Sequence, residues 1–225
     1  MINIIKGWLG EKVATLTMWV MLDKNVYRRV DNVIVNTPNG TTQIDHVLVS
    51  VYGIFVIETK NIKGWIFGEA NSDRWTQVIY GNKRQFQNPL KQNYRHTKCL
   101  SEYLKLDHDL FKSIIFFIGN CEFKTDMPSN VLNGGLIPYI KDFRQAHLSL
   151  QKVVQIEASL TSLKQDKSLN RRNHLASLRD RHESTTICPR CGGLLVQRVS
   201  KKAEFANKPF LGCSNYPKCK YIKKV

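Results

Sequence analysis

Asp45, Glu58 and Lys60 are the side chains whose types and spacing could do chemistry, within the stretch QIDHVLVSVYGIFVIETKN. That stretch reads as two apolar strands joined by a tight turn. Side chains alternate sides along a strand, and facing residues of an antiparallel pair share a side. A two-residue turn centred on Tyr52-Gly53 predicts Val51 opposite Ile54, Val47 opposite Glu58 and Asp45 opposite Lys60. Two carboxylates and an ammonium then converge at the open end of the hairpin. Such a set suits a divalent metal ion and an activated water, as in hydrolysis of a phosphodiester. The alternative is an Asp45–Lys60 ion pair that serves only the fold. His46 has the opposite parity and is expected to point away, packed and hydrogen-bonded.

The pattern Glu-x-Lys alone carries little weight, because it occurs twice, at Glu58-Thr59-Lys60 and at Glu122-Phe123-Lys124. Both follow an apolar strand. The second lacks an acidic partner on a preceding hairpin strand, so Glu122 and Lys124 are expected to be solvated surface charges.

A second chemistry lies in the cysteines. Cys188, Cys191, Cys213 and Cys219 form C-x2-C-x21-C-x5-C. Four thiolates bind zinc tetrahedrally, and short pairs separated by a hairpin of about 20 residues make a zinc ribbon. Four protein ligands leave no open position, so this zinc is expected to be structural. Unpaired thiols or a disulfide in an oxidising compartment are the alternatives. Cys99 and Cys121 have no metal-ligand spacing and are expected to be buried thiols.

The elements that must position these groups follow from patterning. Val13, Leu16 and Val20 suggest a first helix over 10–22, and Val26–Val35 a strand with a turn at Pro38-Asn39-Gly40. After the hairpin come short strands at Trp65-Ile66-Phe67 and Trp75–Tyr80, then a polar loop, Gly81-Asn82-Lys83-Arg84. Pro89 opens a helix running to about Leu104, Ser113–Ile118 reads as a buried central strand, and a helical pattern returns over Ile140–Leu163. This order predicts an α/β fold, a mixed sheet flanked by helices, with a polar linker over Thr161–Thr186.

Charge points to a polyanionic partner. Of the net +16, half lies in residues 186–225, which hold nine Lys and Arg against one Glu. Aromatic residues Phe205, Phe210, Tyr216 and Tyr221 are interleaved there with Arg190, Arg198, Lys201 and Lys202. Lys208, Lys218 and Lys220 continue the pattern. Aromatic faces stack on bases while cations track phosphates, although about half of these aromatics are needed for the ribbon core. No run reaches the roughly 18 apolar residues of a membrane span, and Glu11 and Lys12 interrupt any signal-peptide core. The expectation is a cytoplasmic protein with reduced cysteines. No Gly-rich loop ending in Lys-Ser/Thr suggests an ATP motor.

Two resemblances sharpen this reading. CPRCGGLLVQR with FLGCSNYPKCKY resembles the four-cysteine zinc finger of bacterial type I topoisomerases, which implies DNA binding, mostly to single strands. Gly10-Glu11, Thr42–His46 and Gly53–Asn61, continued by Gly64, Gly68, Trp75 and Asn88–Asn93, resemble a nuclease-related domain (NERD). That implies the restriction-endonuclease-like PD-(D/E)xK superfamily, with metal-dependent DNA cleavage. Ile44 stands where the wider superfamily has proline. By this resemblance Asp45, Glu58 and the Thr59 carbonyl would ligate Mg²⁺, and Lys60 would orient or deprotonate the attacking water. Glu11 would be an accessory carboxylate, or else a charge in a first helical turn. Gln92 would contact the metal-bound water or a phosphate, or else be a solvated polar side chain.

The resulting expectation is a nuclease-like core over 1–150, a helical and polar linker over 151–185, and a DNA-binding zinc ribbon over 186–225. A non-catalytic DNA-binding or interaction module of the same fold is the alternative. A homodimer and a helicase or topoisomerase partner are left open.

Overall fold

Val, Ile and Phe crowd the stretches 44–57 and 111–117, and these become the centre of the fold. The computed structural model describes residues 21–37, 39–199 and 208–224. Strands β1 (Arg28–Thr37), β2 (Gly40–Ser50), β3 (Gly53–Lys60), β4 (Gly64–Phe67), β5 (Arg74–Ile79) and β6 (Asn82–Gln87) precede helix α1 (Pro89–Leu104). Then come β7 (Phe111–Phe117), β8 (Cys121–Phe123), β9 (Val131–Leu132), α2 (Leu136–Lys141), α3 (Leu150–Gln165) and α4 (Arg171–Glu183). The chain closes with β10 (Leu195–Val199), β11 (Pro209–Cys213) and β12 (Ile222–Lys224). The first helix expected over 10–22, and Glu11 with it, lie outside the described residues.

A mixed sheet runs β1-β2-β3-β7-β9, and a second runs β6-β5-β4-β8. Strands β3 and β7 pair in parallel, as do β4 and β8. Lys60 stands beside Phe117 and Gly64 beside Cys121, so one 57-residue offset runs through both pairings. The links 61–63 and 118–120 are held by Gly64 N–H donating to Asn120 O and by Gly119, where a Cβ would lie 2.3 Å from Ile62 O. One face of the main sheet packs Phe55, Ile57, Ile114 and Phe116 on Leu136 and Ile140. The other carries Ile115 and Phe117, packed with Ile66 and Trp75 of the second sheet.

Three expectations of element placement change. The β2–β3 register pairs Ser50 with Gly53, so the turn is Val51-Tyr52 rather than Tyr52-Gly53. Ser50 Oγ accepts from Tyr52 N–H at 3.1 Å, and Gly53 takes φ 133, where a Cβ would meet Leu110 O at 2.9 Å. Of the expected polar loop Gly81–Arg84, Asn82–Arg84 open edge strand β6, after a two-residue turn with positive φ at Tyr80 and Gly81. The helical pattern over Ile140–Leu163 divides into α2 and α3, the latter started by Ser149 Oγ accepting from Lys152 N–H at 3.2 Å.

Helix α1 begins where its sequence signals it. Pro89 occupies the first turn and Asn88 Oδ1 caps Leu90 N–H at 2.9 Å. The Asn88 amide also donates to the carbonyls of Glu69, Ala70 and Ser72. One turn on, fully buried Asn93 donates through Nδ2 to Val56 O (2.8 Å), Ser113 Oγ (2.9 Å) and Ile114 O (3.1 Å). These bonds fix α1 on β3 and β7.

The chain divides into two compact units: the described residues up to Val35 with Gln43–Asp166, and Asn36–Thr42 with residues from Lys167 onward. In the second unit α4 holds the 36–42 segment. Ser177 Oγ accepts from Thr41 N–H at 2.9 Å, His174 Nδ1 bonds Thr41 Oγ1 at 2.8 Å, and Arg181 donates to Thr41 O. The stretch expected as a helical and polar linker carries α4, with hydrogen-bond partners in the 36–42 segment.

Replacing Asn93 with Ala removes the donor for two buried carbonyls. It is expected to lower unfolding free energy by about 2–4 kcal/mol, read from urea midpoints at unchanged m-value.

Candidate functional site

Glu58, Lys60, Gln92 and His96 form a single hydrogen-bonded cluster where the C-terminal end of β3 meets α1. Even-numbered residues of β3 face α1, because Glu58 stands beside Ile115 and Lys60 beside Phe117 on that side of the sheet. Gln92 and His96 are one turn apart on α1 and present the same helix face. Lys60 Nζ lies 2.5 Å from Glu58 Oε1 and donates to Gln92 Oε1 at 3.0 Å. Gln92 Nε2 donates to the same Glu58 oxygen at 2.7 Å. His96 Nε2 approaches Glu58 Oε2 at 3.2 Å. Glu58 is 4% exposed, and each of its oxygens is engaged.

Burial pushes the Glu58 carboxyl up, but the His96 hydrogen bond and the charges of Lys60 and His96 outweigh it and hold it below its ordinary value. A carboxylate in that state stabilises the fold above its unfolded pKa of about 4.3, and loses that contribution as pH falls through the lower folded value.

Asp45 is placed differently from the expectation. With the observed register continued by one step it stands opposite Glu58, not Lys60. A shift of two residues preserves strand parity, yet the Asp45 carboxylate turns to Thr59, whose side chain has the opposite parity to Glu58 and Lys60. Asp45 Oδ2 accepts from Thr59 N–H (2.9 Å) and Thr59 Oγ1 (2.7 Å), closing the gap where the regular ladder ends at His46–Ile57. His46 points elsewhere, with Nδ1 2.8 Å from Asp31 Oδ1. The second Glu-x-Lys pair makes its own bridge, Lys124 Nζ to Glu122 Oε1 at 2.6 Å, with the Glu122 side chain 61% exposed.

His96 is the member of the cluster that sequence reasoning missed. Its only signal is its position four residues after Gln92, which becomes informative once the helix is known to cover β3.

The second cluster is sulfur. The Sγ atoms of Cys188, Cys191, Cys213 and Cys219 lie within 4.8 Å of one another, with Cys188–Cys219 at 3.8 Å and Cys191–Cys213 at 3.3 Å. Zn–S bonds of about 2.3 Å place the corners of a tetrahedron about 3.8 Å apart. Gly192, at φ 78, turns the first knuckle, and Asn215 N–H points at Cys213 Sγ at 3.4 Å. Burial raises the Cys213 thiol. Hydrogen bonds from Gly193 and neighbouring groups bring Cys191 down to about 7, while burial and the neighbouring sulfurs push Cys219 up to about 12. Four crowded thiols cannot all ionise without a cation, and an all-sulfur set is suited to zinc.

The ribbon sheet runs β10-β11-β12, with Leu195, Leu211 and Tyr221 packed on the cysteines. Arg198, Phe210 and Lys224 stand in one cross-strand row, and Val196, Gly212 and Ile222 in the next. The Arg198 guanidinium lies 5.9 Å from the centroid of the Tyr216 ring, which is 60% exposed. Arg190, Lys218 and Lys220 are exposed, whereas Tyr221 is partly buried against the core. Lys201, Lys202 and Phe205 lie outside the described residues. Cys99 and Cys121 are half-buried rather than buried. No described helix is long and apolar enough to cross a membrane.

Residues 6–118 match the family model for a nuclease-related domain, NERD, and residues 185–225 that for a topoisomerase DNA binding C4 zinc finger. An uncharacterized protein of Bacillus anthracis is 48% identical over 96 residues, 42% of this chain and 45% of that protein. DNA topoisomerase 1 of Helicobacter pylori strain J99 is 51% identical over 45 residues, 20% of this chain and 5% of the topoisomerase. The chain thus matches less than half the length of either relative. No solved structure matches significantly.

Two outcomes follow from this geometry. Metal analysis should find about one zinc per chain, lost in Cys213→Ser. Glu58→Gln should flatten the acid limb of a urea-midpoint profile between pH 3 and 7, because it removes the group whose protonation is linked to unfolding.

Proposed function

We propose that this chain, which belongs to the nuclease-related domain (NERD) family, is a DNA-binding nuclease that cleaves phosphodiester bonds with Mg²⁺. The observation that carries the proposal is the contrast between its two Glu-x-Lys pairs. Glu122 and Lys124 pair with each other in solvent, whereas Glu58 and Lys60 are drawn into a cluster with Gln92 and His96. Burying a carboxylate costs free energy, and the fold spends three side chains on holding this one ionised.

The acidic site would offer oxygen donors from the carboxylates of Asp45 and Glu58 and from the Thr59 carbonyl. Such a set fits a hard cation, and Glu11 of the undescribed N-terminal segment is proposed as a further carboxylate. When bound, Mg²⁺ would supply Lewis acidity toward the scissile phosphate and lower the pKa of a water. Lys60 now stands where a cation would be neutralised by Glu58. Its flexible stem lets the ammonium move toward the phosphate, where it would hold the attacking water and offset charge in the transition state. Gln92 bonds both Lys60 and Glu58, so it would keep the ammonium and the carboxylate in register. His96 would hold the second Glu58 oxygen and fix the plane of the carboxyl group.

The zinc ribbon would retain the strand through Arg198, Tyr216 and Lys218. Its match to a DNA-binding zinc finger and its basic excess support this role.

One observation favours a second reading, a non-catalytic DNA-binding module. Both Glu58 oxygens already have protein partners, which is how a purely structural carboxylate would look.

Incubation of purified protein with single- and double-stranded DNA separates the two. Mg²⁺-dependent cutting should fall by about 100-fold or more in Asp45→Asn and Lys60→Ala, and on double-stranded DNA stay unchanged in Glu122→Gln. A wild-type protein that binds DNA but cuts under neither Mg²⁺ nor Mn²⁺ removes the nuclease reading. In binding assays, Arg198→Ala and Lys218→Ala should each reduce the slope of log K against log salt by about 0.7–0.9.

A further inference from the structure

The second sheet has a core face and an outer face, and the outer face is unusual. Ile66 and Trp75 point inward and are fully buried. The intervening residues of β4 point outward: Trp65 is 50% exposed and Phe67 37%. Register arranges the outer face in two ranks. Trp65 stands beside Val78 and Glu122, and Val78 beside Lys83 of β6. Phe67 stands beside Thr76, and Thr76 beside Gln85. Lys124 follows β8, where its N–H donates to Ile66 O at 2.9 Å, and its Nζ lies 4.7 Å from the Trp65 ring centroid. Lys83 and Lys124 therefore flank the two rings from the two outer strands. Fully exposed Tyr80 lies at the adjoining β5–β6 turn, and Glu122 is the sole acid of these ranks.

We infer that this face is a second contact for single-stranded DNA, with Trp65 and Phe67 each stacking one base. Residues two apart on a strand are about 6.8 Å apart, roughly twice the 3.4 Å rise of a stacked DNA strand. Two rings at that spacing suit neighbouring bases of a strand pulled open, not a stacked duplex. Lys83 on one edge supplies complementary charge for its phosphates, and on the other Lys124, bridged to Glu122, lies over the Trp65 ring. The location also fits. β4 starts four residues after Lys60, so Trp65 lies within about 18 Å of the acidic cluster's lysine backbone, the reach of five extended residues. The inference rests on DNA being the ligand, and not on cleavage.

The test uses the full-length protein without added divalent metal, a fluorescein-labelled oligo-dT and a blunt duplex of equal length. Trp65→Ala should weaken oligo-dT binding about fivefold or more and leave duplex binding unchanged, while Trp65→Phe keeps most of the affinity. Lys83→Gln should lower the single-strand salt slope by about 0.7. Ultraviolet crosslinking of a bromouracil-substituted strand should label the peptide containing residues 64–67. Unchanged oligo-dT affinity in a folded Trp65→Ala protein, an equal loss on the duplex, or crosslinks confined to residues 186–225 would overturn the assignment. A protein that binds DNA without cutting it leaves this surface standing and removes only the nuclease reading. A protein that binds neither probe removes both.

Discussion

A carboxylate buried to 4% exposure at the end of a central strand constrains everything around it. Glu58 must be ionised or neutral there, and the surroundings choose ionised by supplying an ammonium, an amide and an imidazole. Two of those groups come from α1, so the helix has to lie at a fixed depth and rotation over β3. Asn88 sets the depth, by capping the helix and by gathering three carbonyls of the 69–72 loop. Asn93 sets the rotation, by spending its amide on two strands at once. Neither asparagine touches Glu58. Both are fully buried because the geometry of a charged group elsewhere depends on them.

The acidic cluster was largely legible in the sequence because parity is a robust quantity. The hairpin register is two residues away from the one a Tyr52-Gly53 turn predicts, yet an even shift returns every side chain to its original face. Thus Glu58 and Lys60 share one side and His46 faces away toward Asp31, while Asp45 turns its carboxylate to Thr59. The position of Gly53 misled: its positive φ serves the first residue of β3, beneath Leu110 O, and not the turn itself. Helix α1 was read with its limits, since Asn88-Pro89 is a strong local start signal.

Other features depend on contacts that a one-dimensional pattern does not carry. The start of strand β6 looks like a loop because Asn82–Gln85 are exposed and polar on a sheet edge, and only Phe86 packs on the second sheet's core. Helix α4 has weak amphipathicity, and its order comes from His174, Ser177 and Arg181 bonding to Thr41, more than 130 residues earlier. His96 belongs to the cluster for the same reason: a lone histidine acquires meaning only from what faces it. The ribbon is the opposite case. Thiolate spacing is a local code, and the four sulfurs meet as that code requires.

The equal offset of β3 on β7 and of β4 on β8 has an evolutionary consequence. Links 61–63 and 118–120 are the same length and pack backbone against backbone at Gly119 and Ile62. A residue gained or lost in one link alone would slide one parallel pair by a step while leaving the other in place, turning Trp65 and Ile66 to each other's faces. Length changes there can survive only as matched pairs. The two segments should therefore tolerate little change in length, and length variation is to be sought instead at the β5–β6 turn, where a Cβ at Gly81 would meet nothing within 4 Å.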